Sequence, residues 1–421
     1  MTQSKSNNHW NNDISATYKI KKSYNAKLEI ETIAEKMADG ISIGTTQVAE
    51  GIYTPKTSAT HIKTSGFIPG RMRADVENLE VSNDKKTAEM TVKFSSEIMT
   101  DIGGFPMLMA ALVGDQYGTA YEIDEGRLID LILPEDYRKQ FLGPKFGVDG
   151  LRKIYGTSEN NQPHAAILLK PNTGQPEEHF SLIAEMATRG GVNYVKDDEM
   201  KVNTPTMIKS VSSAIEKAKD KTGNNILYGP NVTADYKNAK KQALMAIENG
   251  ATAIMVNIVH AGLEYVRMLS EDPDINVPIH IHRTGHDAIT RGKFGMSLKV
   301  FTQLWRLAGA DQIHIGPVFG GLYKPDTVKE IFKETQKEIG KVKKSLAVIS
   351  RGNLNVIPGT VNFLKSKDLL FLCDDGVYKH PAGIEVGIKE VSEKLKSIEI
   401  QNLSDQDKKD IDYNNQNVSF E

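Results

Sequence analysis

Cysteine is almost absent: the 421 residues hold one, Cys373. A single thiol excludes an intramolecular disulfide framework and a thiolate zinc site, and it fits a reducing cytoplasm. Charge of one sign is not in excess either, with 52 Lys and Arg against 54 Asp and Glu. That balance argues against a nucleic-acid partner held by a basic face. Long apolar runs are missing. The longest, such as Ala253–Val259 with Asn257 inside it, fall far short of the ~20 residues that cross a bilayer as a helix, so no membrane partner is expected. The N-terminal MTQSKSNNHWNND is polar and Asn-rich, without the apolar centre of a secretory signal. No repeat recurs at a solenoid period.

What is there is a chain 39% hydrophobic, long enough for a sizeable core. At ~150 residues per domain it predicts two or three domains, an α/β barrel of ~250 counting as one. Residues 1–13 and 401–421 hold few apolar anchors and read as a disordered N-terminus and a C-terminal tail, both mobile. Over 14–140, Ser15–Lys19 and Ala88–Phe94 alternate as half-buried strands. Leu28–Ala38 and Pro106–Val113 read as helices. The pattern predicts a small α+β domain of antiparallel, ferredoxin-like character.

Over 141–400 short apolar strands alternate with amphipathic helices. The strands are Ala165–Leu169, Tyr194–Val195, Ile226–Tyr228, Ala253–Val256, Ile279–Ile281, Gln312–Ile315, Leu346–Ile349 and Leu369–Leu372. The helices between them include Phe180–Thr188, Thr206–Lys221, Tyr236–Asn249, Met296–Leu307, Thr327–Ile339 and Val361–Ser366. Eight such units predict a (β/α)8 barrel, with an open doubly wound sheet as the alternative. Polar residues follow nearly every strand, and a barrel gathers those ends at one mouth, where barrel active sites sit.

Lys196-Asp197-Asp198-Glu199 follows the second of these strands. Asp198 and Glu199 are hard oxygen donors suited to Mg2+, which takes one or two carboxylates and completes its shell with water and substrate oxygens. Lys196 and Asp198, two apart in an extended chain, point the same way. A neutral Lys196 amine that takes up CO2 would add a carbamate oxygen as a third ligand. Taken alone, the run also reads as a solvated turn. Lys170 ends the first strand; near a cation its amine can act as a general base, and by itself it also reads as a surface lysine. Arg283 can grip a phosphate through two N–H groups, and His282 and His286 can move protons. With His314 and Ser350 on the next two strand ends, these residues make a candidate phosphate site.

The stretches GPKFGVDGLRKIYG (Gly143–Gly156), LLKP (Leu168–Pro171), GGVNYVKDDE (Gly190–Glu199), HIHRTGH (His280–His286), QIHIGPVFGGL (Gln312–Leu322) and HPAG (His380–Gly383) resemble the ribulose-bisphosphate carboxylase large-subunit family. The likeness runs from about Ile14 to Lys394. It implies that Lys196 is carbamylated and holds Mg2+ with Asp198 and Glu199. It implies that Lys170 and His282 move protons on the substrate, and that Arg283, His314 and Ser350 hold one substrate phosphate. Asn231 and His286 match positions lining the site. A homodimer is implied as well, with the site between subunits and with Thr45 and Asp115 of one chain reaching the site of the other.

The departures from that family are specific. Gly321 stands where carboxylases carry the lysine that positions CO2. Asp374-Asp375 replaces the glycine pair that binds the second phosphate, and two carboxylates there repel a phosphate but accept hydroxyl protons. Arg351 stands beside Ser350 where a glycine is usual, Gly40 replaces a glutamate, and Asp115 an asparagine. The pattern is that of a RuBisCO-like protein, form IV, which retains the metal and enolising groups and does not fix CO2 on ribulose 1,5-bisphosphate. The expected reaction is decarboxylation of a singly phosphorylated 3-oxo sugar acid, as in the 3-oxo-isoapionate 4-phosphate decarboxylase branch. A methionine-salvage enolase or isomerase acting on a methylthio-pentulose phosphate is the alternative, and a non-catalytic regulatory homologue is a third reading.

Overall fold

The computed structural model describes residues 13–42, 73–99, 103–201, 203–223 and 225–418. Thr45 lies outside them. The chain divides into two compact units: one runs to Gln140 and takes in Asp287–Phe301, and the other comprises Phe141–His286 and the chain from Thr302 onward.

The first unit is a sheet with helices between its strands. The strands are β1 (Asp13–Lys22), β2 (Asp75–Val81), β3 (Thr87–Ser95) and β4 (Ile123–Ile132). β1 pairs antiparallel with both β3 and β4, and β2 with β3, giving the order β4-β1-β3-β2. Helix Ile30–Ser42 follows β1, and helices Gly104–Val113 and Asp115–Thr119 precede β4. This is the βαββαβ arrangement of a ferredoxin-like fold. The register explains it. Ile14 lies opposite Phe94, Ala16 opposite Val92, Tyr18 opposite Met90 and Ile20 opposite Ala88, and all eight are buried on one face. Helix Ile30–Ser42 buries Ile30, Ile33, Ala34, Met37, Ala38 and Ile41 at helical spacing. Each large apolar side chain so buried contributes about 1.5–3 kcal/mol.

A fifth strand, Phe294–Met296, pairs parallel to β4. Sequence periodicity starts a helix at Met296, but the helix begins at Leu298. Three residues with a glycine at their centre are too short to show a period of two, and Gly295 takes φ +139°, outside the helical region.

The second unit is the barrel. Its strands are β5 (His164–Leu168), β6 (Tyr194–Lys196), β7 (Leu227–Gly229), β8 (Ile254–Asn257) and β9 (Ile279–His282). After Phe294–Met296, which is β10, come β11 (Gln312–His314), β12 (Leu346–Ile349) and β13 (Leu369–Cys373). Parallel pairing runs β7-β6-β5-β13-β12-β11-β9-β8. The ring closes between β7 and β8 through backbone bonds from Ala253 N–H to the Tyr228 carbonyl (2.9 Å), Met255 N–H to Pro230 (2.9 Å) and Val232 N–H to Met255 (3.0 Å). The eight strands lie within a residue of the positions that the apolar runs predict.

Ala166, Leu168, Tyr194, Leu227, Ala253, Leu346, Val348, Leu370 and Leu372 pack together in the core. Val148, Leu151 and Tyr155 of helix Gly147–Tyr155 join the same cluster. The buried Asp311 carboxylate, just before β11, fixes that helix from the N-terminal end of the barrel. It accepts N–H groups from Phe146 (2.8 Å), Gly147 (2.8 Å) and Ile279 (2.9 Å).

The stretch expected to be a mobile tail contains a docked helix, Asp405–Asn417. Ser404 and Asp407 form a reciprocal capping box, Ile411 is buried, and Asn415 hydrogen-bonds Asp326. Capping and polar pairs, which leave no hydrophobic period, supply what apolar content does not.

Candidate active site

Successive residues in a strand face opposite sides of the sheet, so the core residues define which positions look inward. Continuing that parity past each strand gives Lys170, Lys196 with Asp198, Asn231, Asn257, His282, His314, Ser350 and Asp374. One rule of alternation thus brings the predicted residues of seven strand ends to the C-terminal mouth of the barrel.

Lys196 lies deepest. It is fully buried, and its Nζ has no hydrogen-bond partner. Burial pushes the amine down to about 8, against the pull of the Asp198 and Asp197 carboxylates, while the charge of Lys170 lowers it further. Above it, donor atoms of Asp198, Glu199 and His282 lie within 4.8 Å of one another. Lys170 Nζ stands 3.8 Å from Asp198 Oδ2. His282 Nε2 stands 3.7 Å from Glu199 Oε2, and its Nδ1 accepts the Thr284 N–H at 3.3 Å.

These residues fit a hard divalent cation. Two carboxylates converge, and the orphaned amine of Lys196 is buried beside them in a state from which a proton is readily lost. As it stands the amine offers no oxygen, and the third convergent donor is His282, expected from the resemblance as a proton-handling group.

Asp197, the first residue of the acidic run, faces the other way. Its carboxylate accepts Lys201 Nζ (2.8 Å), Asn203 Nδ2 (2.6 Å) and the Asn231 N–H (3.1 Å); Asp197 and Lys201 are both buried. Asn231, expected to line the site, spends its amide on the carbonyls of Glu199 (2.9 Å) and Lys201 (3.2 Å). Asp197 and Asn231 thus set the path of the loop that presents Asp198 and Glu199.

His280, His282 and His314 form a row, with ring centroids 4.8 Å apart between the first and third and 5.1 Å between the second and third. His280 Nε2 lies 2.9 Å from His314 Nε2, and its Nδ1 lies 2.7 Å from Gln312 Oε1. Burial, reinforced by Lys196 and the neighbouring rings, holds all three well below the ordinary imidazole range, so they are neutral at neutral pH. Beside these neutral rings, permanent positive charge comes from Arg283. A Cβ at Gly316, two residues beyond His314, would stand 2.9 Å from Arg283 Nη2, so the guanidinium packs beside that strand end. Ser350 is half-buried at the end of β12. His286 uses Nδ1 on the Arg283 carbonyl (2.9 Å) and braces the turn that carries Arg283.

Two expected substrate residues are engaged elsewhere. The Arg351 guanidinium donates to the Gly320 carbonyl in the loop after β11, from a backbone at φ +59°. Asp375 is exposed and pairs with Lys379 at 2.6 Å, one helical turn away. Asp374 alone of the acidic pair faces the mouth. Burial raises its carboxyl; the Asp375 backbone N–H opposes this, the Asp375 charge adds to it, and Lys170 and Arg351 lower it. Asp115 begins helix Asp115–Thr119 in the first unit and is exposed there.

Sequence reasoning missed Asp197, Lys201 and Tyr378. Alternation along the acidic run could have separated Asp197 from its neighbours. Nothing local marks Tyr378, whose hydroxyl bonds the backbone of β5 at Leu168 and that of the next turn at Lys170.

Residues 158–417 match the profile of the ribulose bisphosphate carboxylase large chain, catalytic domain. A ribulose bisphosphate carboxylase of Archaeoglobus fulgidus is 32% identical over 323 residues, which span 70% of this chain and 71% of that protein. A ribulose bisphosphate carboxylase-like protein of Chlorobaculum thiosulfatiphilum is 33% identical over 303 residues, 70% and 69% of the two chains. Among solved structures, octameric ribulose-1,5-bisphosphate carboxylase/oxygenase from Pyrococcus horikoshii OT3 superposes with a TM-score of 0.82 at 25% identity, covering 92% of this chain and 88% of that one. A rubisco-like protein (MtnW) from Alicyclobacillus acidocaldarius gives 0.78 at 25% identity, covering 91% and 93%. With a barrel of the same order and a profile match over more than half its length, the chain belongs to the ribulose bisphosphate carboxylase large-chain family.

Proposed function

We propose that the protein is a Mg2+-dependent decarboxylase of a singly phosphorylated 3-oxo sugar acid, with 3-oxo-isoapionate 4-phosphate as the specific substrate. The observation that carries this reading is the pairing of two features in one mouth. Asp198, Glu199 and the buried Lys196 amine are present at one side, and a carboxylate, Asp374, follows β13, where the family resemblance implies a second phosphate.

Lys196 as its carbamate, Asp198 and Glu199 would hold the Mg2+, which when bound supplies positive charge for an oxygen that becomes anionic. Arg283 takes the single phosphate, with Ser350 and His314 beside it. Asp374 accepts protons from hydroxyls at the opposite end. In the reaction the bond between the carboxylate and its α-carbon breaks. CO2 leaves, and the electron pair stays on that carbon as an enediolate. Lys170, as its ammonium, then delivers a proton to carbon and gives a ketone; His282 exchanges protons with the oxygens. Carboxylation of ribulose 1,5-bisphosphate is not expected. Gly321 offers no amine, and a Cβ there would meet the Pro317 carbonyl at 2.9 Å.

The active assembly in this reading is a cytoplasmic homodimer, with Thr45 and Asp115 contributed across the interface. A second reading, enolase or isomerase of a methylthio-pentulose phosphate, is favoured by the exposed Met200 and Leu322 in the loops after β6 and β11, which could meet a thioether. The test is release of labelled CO2 from 3-oxo-isoapionate 4-phosphate after preincubation with Mg2+ and bicarbonate. Release is expected. Its absence from protein shown to carry the carbamate, together with exchange of solvent deuterium into methylthio-pentulose phosphates, would move the function to the second reading.

A further inference from the structure

We propose that Tyr378 is a positioning residue for Lys170, its hydroxyl locking the backbone from which the Lys170 amine reaches the site. The proposal rests on the reading of Lys170 as the group that moves the proton. β13 pairs with β5 as far as Cys373 opposite Ile167. At Asp374 the chain turns away, with φ −134° and ψ −120°, into the short helix Asp375–Tyr378. The last residue of that helix comes back to β5, the neighbour of the strand it left. Tyr378 OH donates to the Leu168 carbonyl at 2.6 Å and accepts the Lys170 N–H at 3.1 Å. The two groups flank Leu169, whose own N–H donates to Lys196 on β6 at 2.8 Å. One hydroxyl thus continues the ladder for a further residue pair after the strand has ended.

A lysine side chain has four rotatable bonds, so its amine is presented reproducibly only from a fixed backbone. Both backbone polar groups of Lys170 are held by side chains, the N–H by Tyr378 and the carbonyl by His179 Nε2 at 3.0 Å. The amine itself is half exposed, with Asp198 at 3.8 Å. Burial pushes the Tyr378 phenol up to about 12, so the hydroxyl stays protonated and can donate and accept at once.

The test is Tyr378→Phe, which keeps the ring and removes both bonds. In the free protein, amide exchange resolved to Lys170 should accelerate about tenfold, with barrel amides and Tm nearly unchanged. In CO2 release from 3-oxo-isoapionate 4-phosphate, kcat should fall about tenfold with KM little changed, since misplacement of a proton donor costs the chemical step and not binding. A residue that merely stabilised the fold would lower Tm and speed exchange throughout the barrel. Unchanged exchange at Lys170 overturns the lock, and faster exchange with unchanged kcat overturns its role in positioning. Lys170→Gln run alongside separates the two layers. If that variant keeps full turnover, the reading of Lys170 fails. If it is inactive while Tyr378→Phe is fully active, only the present inference fails.

Discussion

The amine of Lys170 and the carboxylate of Asp198 face each other at 3.8 Å across the ends of neighbouring strands β5 and β6. Asp198 is buried and Lys170 half exposed. The carboxylate can act as counter-ion to the lysine only while its own charge is not committed to a cation. A cation held by Asp198 would therefore compete with Lys170 for one carboxylate.

Lys196→Ala should abolish turnover, because the position that as a carbamate would supply a third ligand oxygen is lost while the strand that carries it is not. Labelled CO2 trapped chemically on the wild-type protein should be missing from the variant. Turnover that survives the substitution in Mg2+ would exclude the carbamate from the mechanism.

Asp374 and Asp375 are adjacent in sequence but differ in surroundings, and their substitutions should differ too. Asp374→Gly alone should tighten binding of ribulose 1,5-bisphosphate about tenfold or more, since it removes a half-buried charge facing the mouth. Asp375→Gly, which removes a solvent-exposed partner of Lys379, should leave that affinity where it was. Titration calorimetry on both variants decides; an equal response would place the exclusion of the second phosphate elsewhere.

Asp197→Ala should cost about 3–5 kcal/mol of stability, because it strands the Lys201 ammonium in the interior. Mg2+ binding should weaken with it, as Asn203 and Asn231 lose their anchor on the acidic loop. Replacing both charges, with Asp197→Leu and Lys201→Met, should recover most of the stability but not the Mg2+ affinity. Urea unfolding and a Mg2+ titration read the two effects separately.

His164 gives the pH dependence. Its ring is fully buried against Tyr155, and burial, with the Arg152 charge adding, lowers it from the usual imidazole value to about 3. A group whose folded pKa is depressed binds its proton first in the unfolded chain, so stability is complete above the unfolded pKa and is lost as pH falls toward about 3. His164→Phe retains a ring and cannot titrate. The slope of unfolding free energy against pH between about 4 and 6 should shrink by up to one proton. An unchanged slope would show that His164 charges without unfolding.

The barrel was legible because each strand is a short apolar run followed at once by a polar residue, and because alternation fixes which of those residues look inward. Lys170, Asp198, His282, His314 and Asp374 needed nothing more. What stayed hidden depends on partners far away in sequence. Arg351 is claimed by Gly320, and Tyr378 by a strand that ends some two hundred residues earlier. Asn231 looks like a binding residue until the carbonyls of Glu199 and Lys201 take its amide. The helix Asp405–Asn417 has a hydrophobic content that predicts a tail, and its Ser404 and Asp407 cap was the one local sign against that.

The chain crosses between its two units more than once, because Asp287–Phe301 leaves the barrel's sequence to lie with the first unit. The Arg127 guanidinium on β4 binds carbonyls of Thr290, Gly292 and Met296, and Phe294–Met296 covers the edge of β4. A fragment cut after residue 140 would expose that edge and leave Arg127 without those acceptors. Residues 1–140 alone are not a detachable module. A gene rearrangement that moved the N-terminal unit alone would carry off an unfinished sheet, so the two are expected to be inherited, swapped and engineered as one piece.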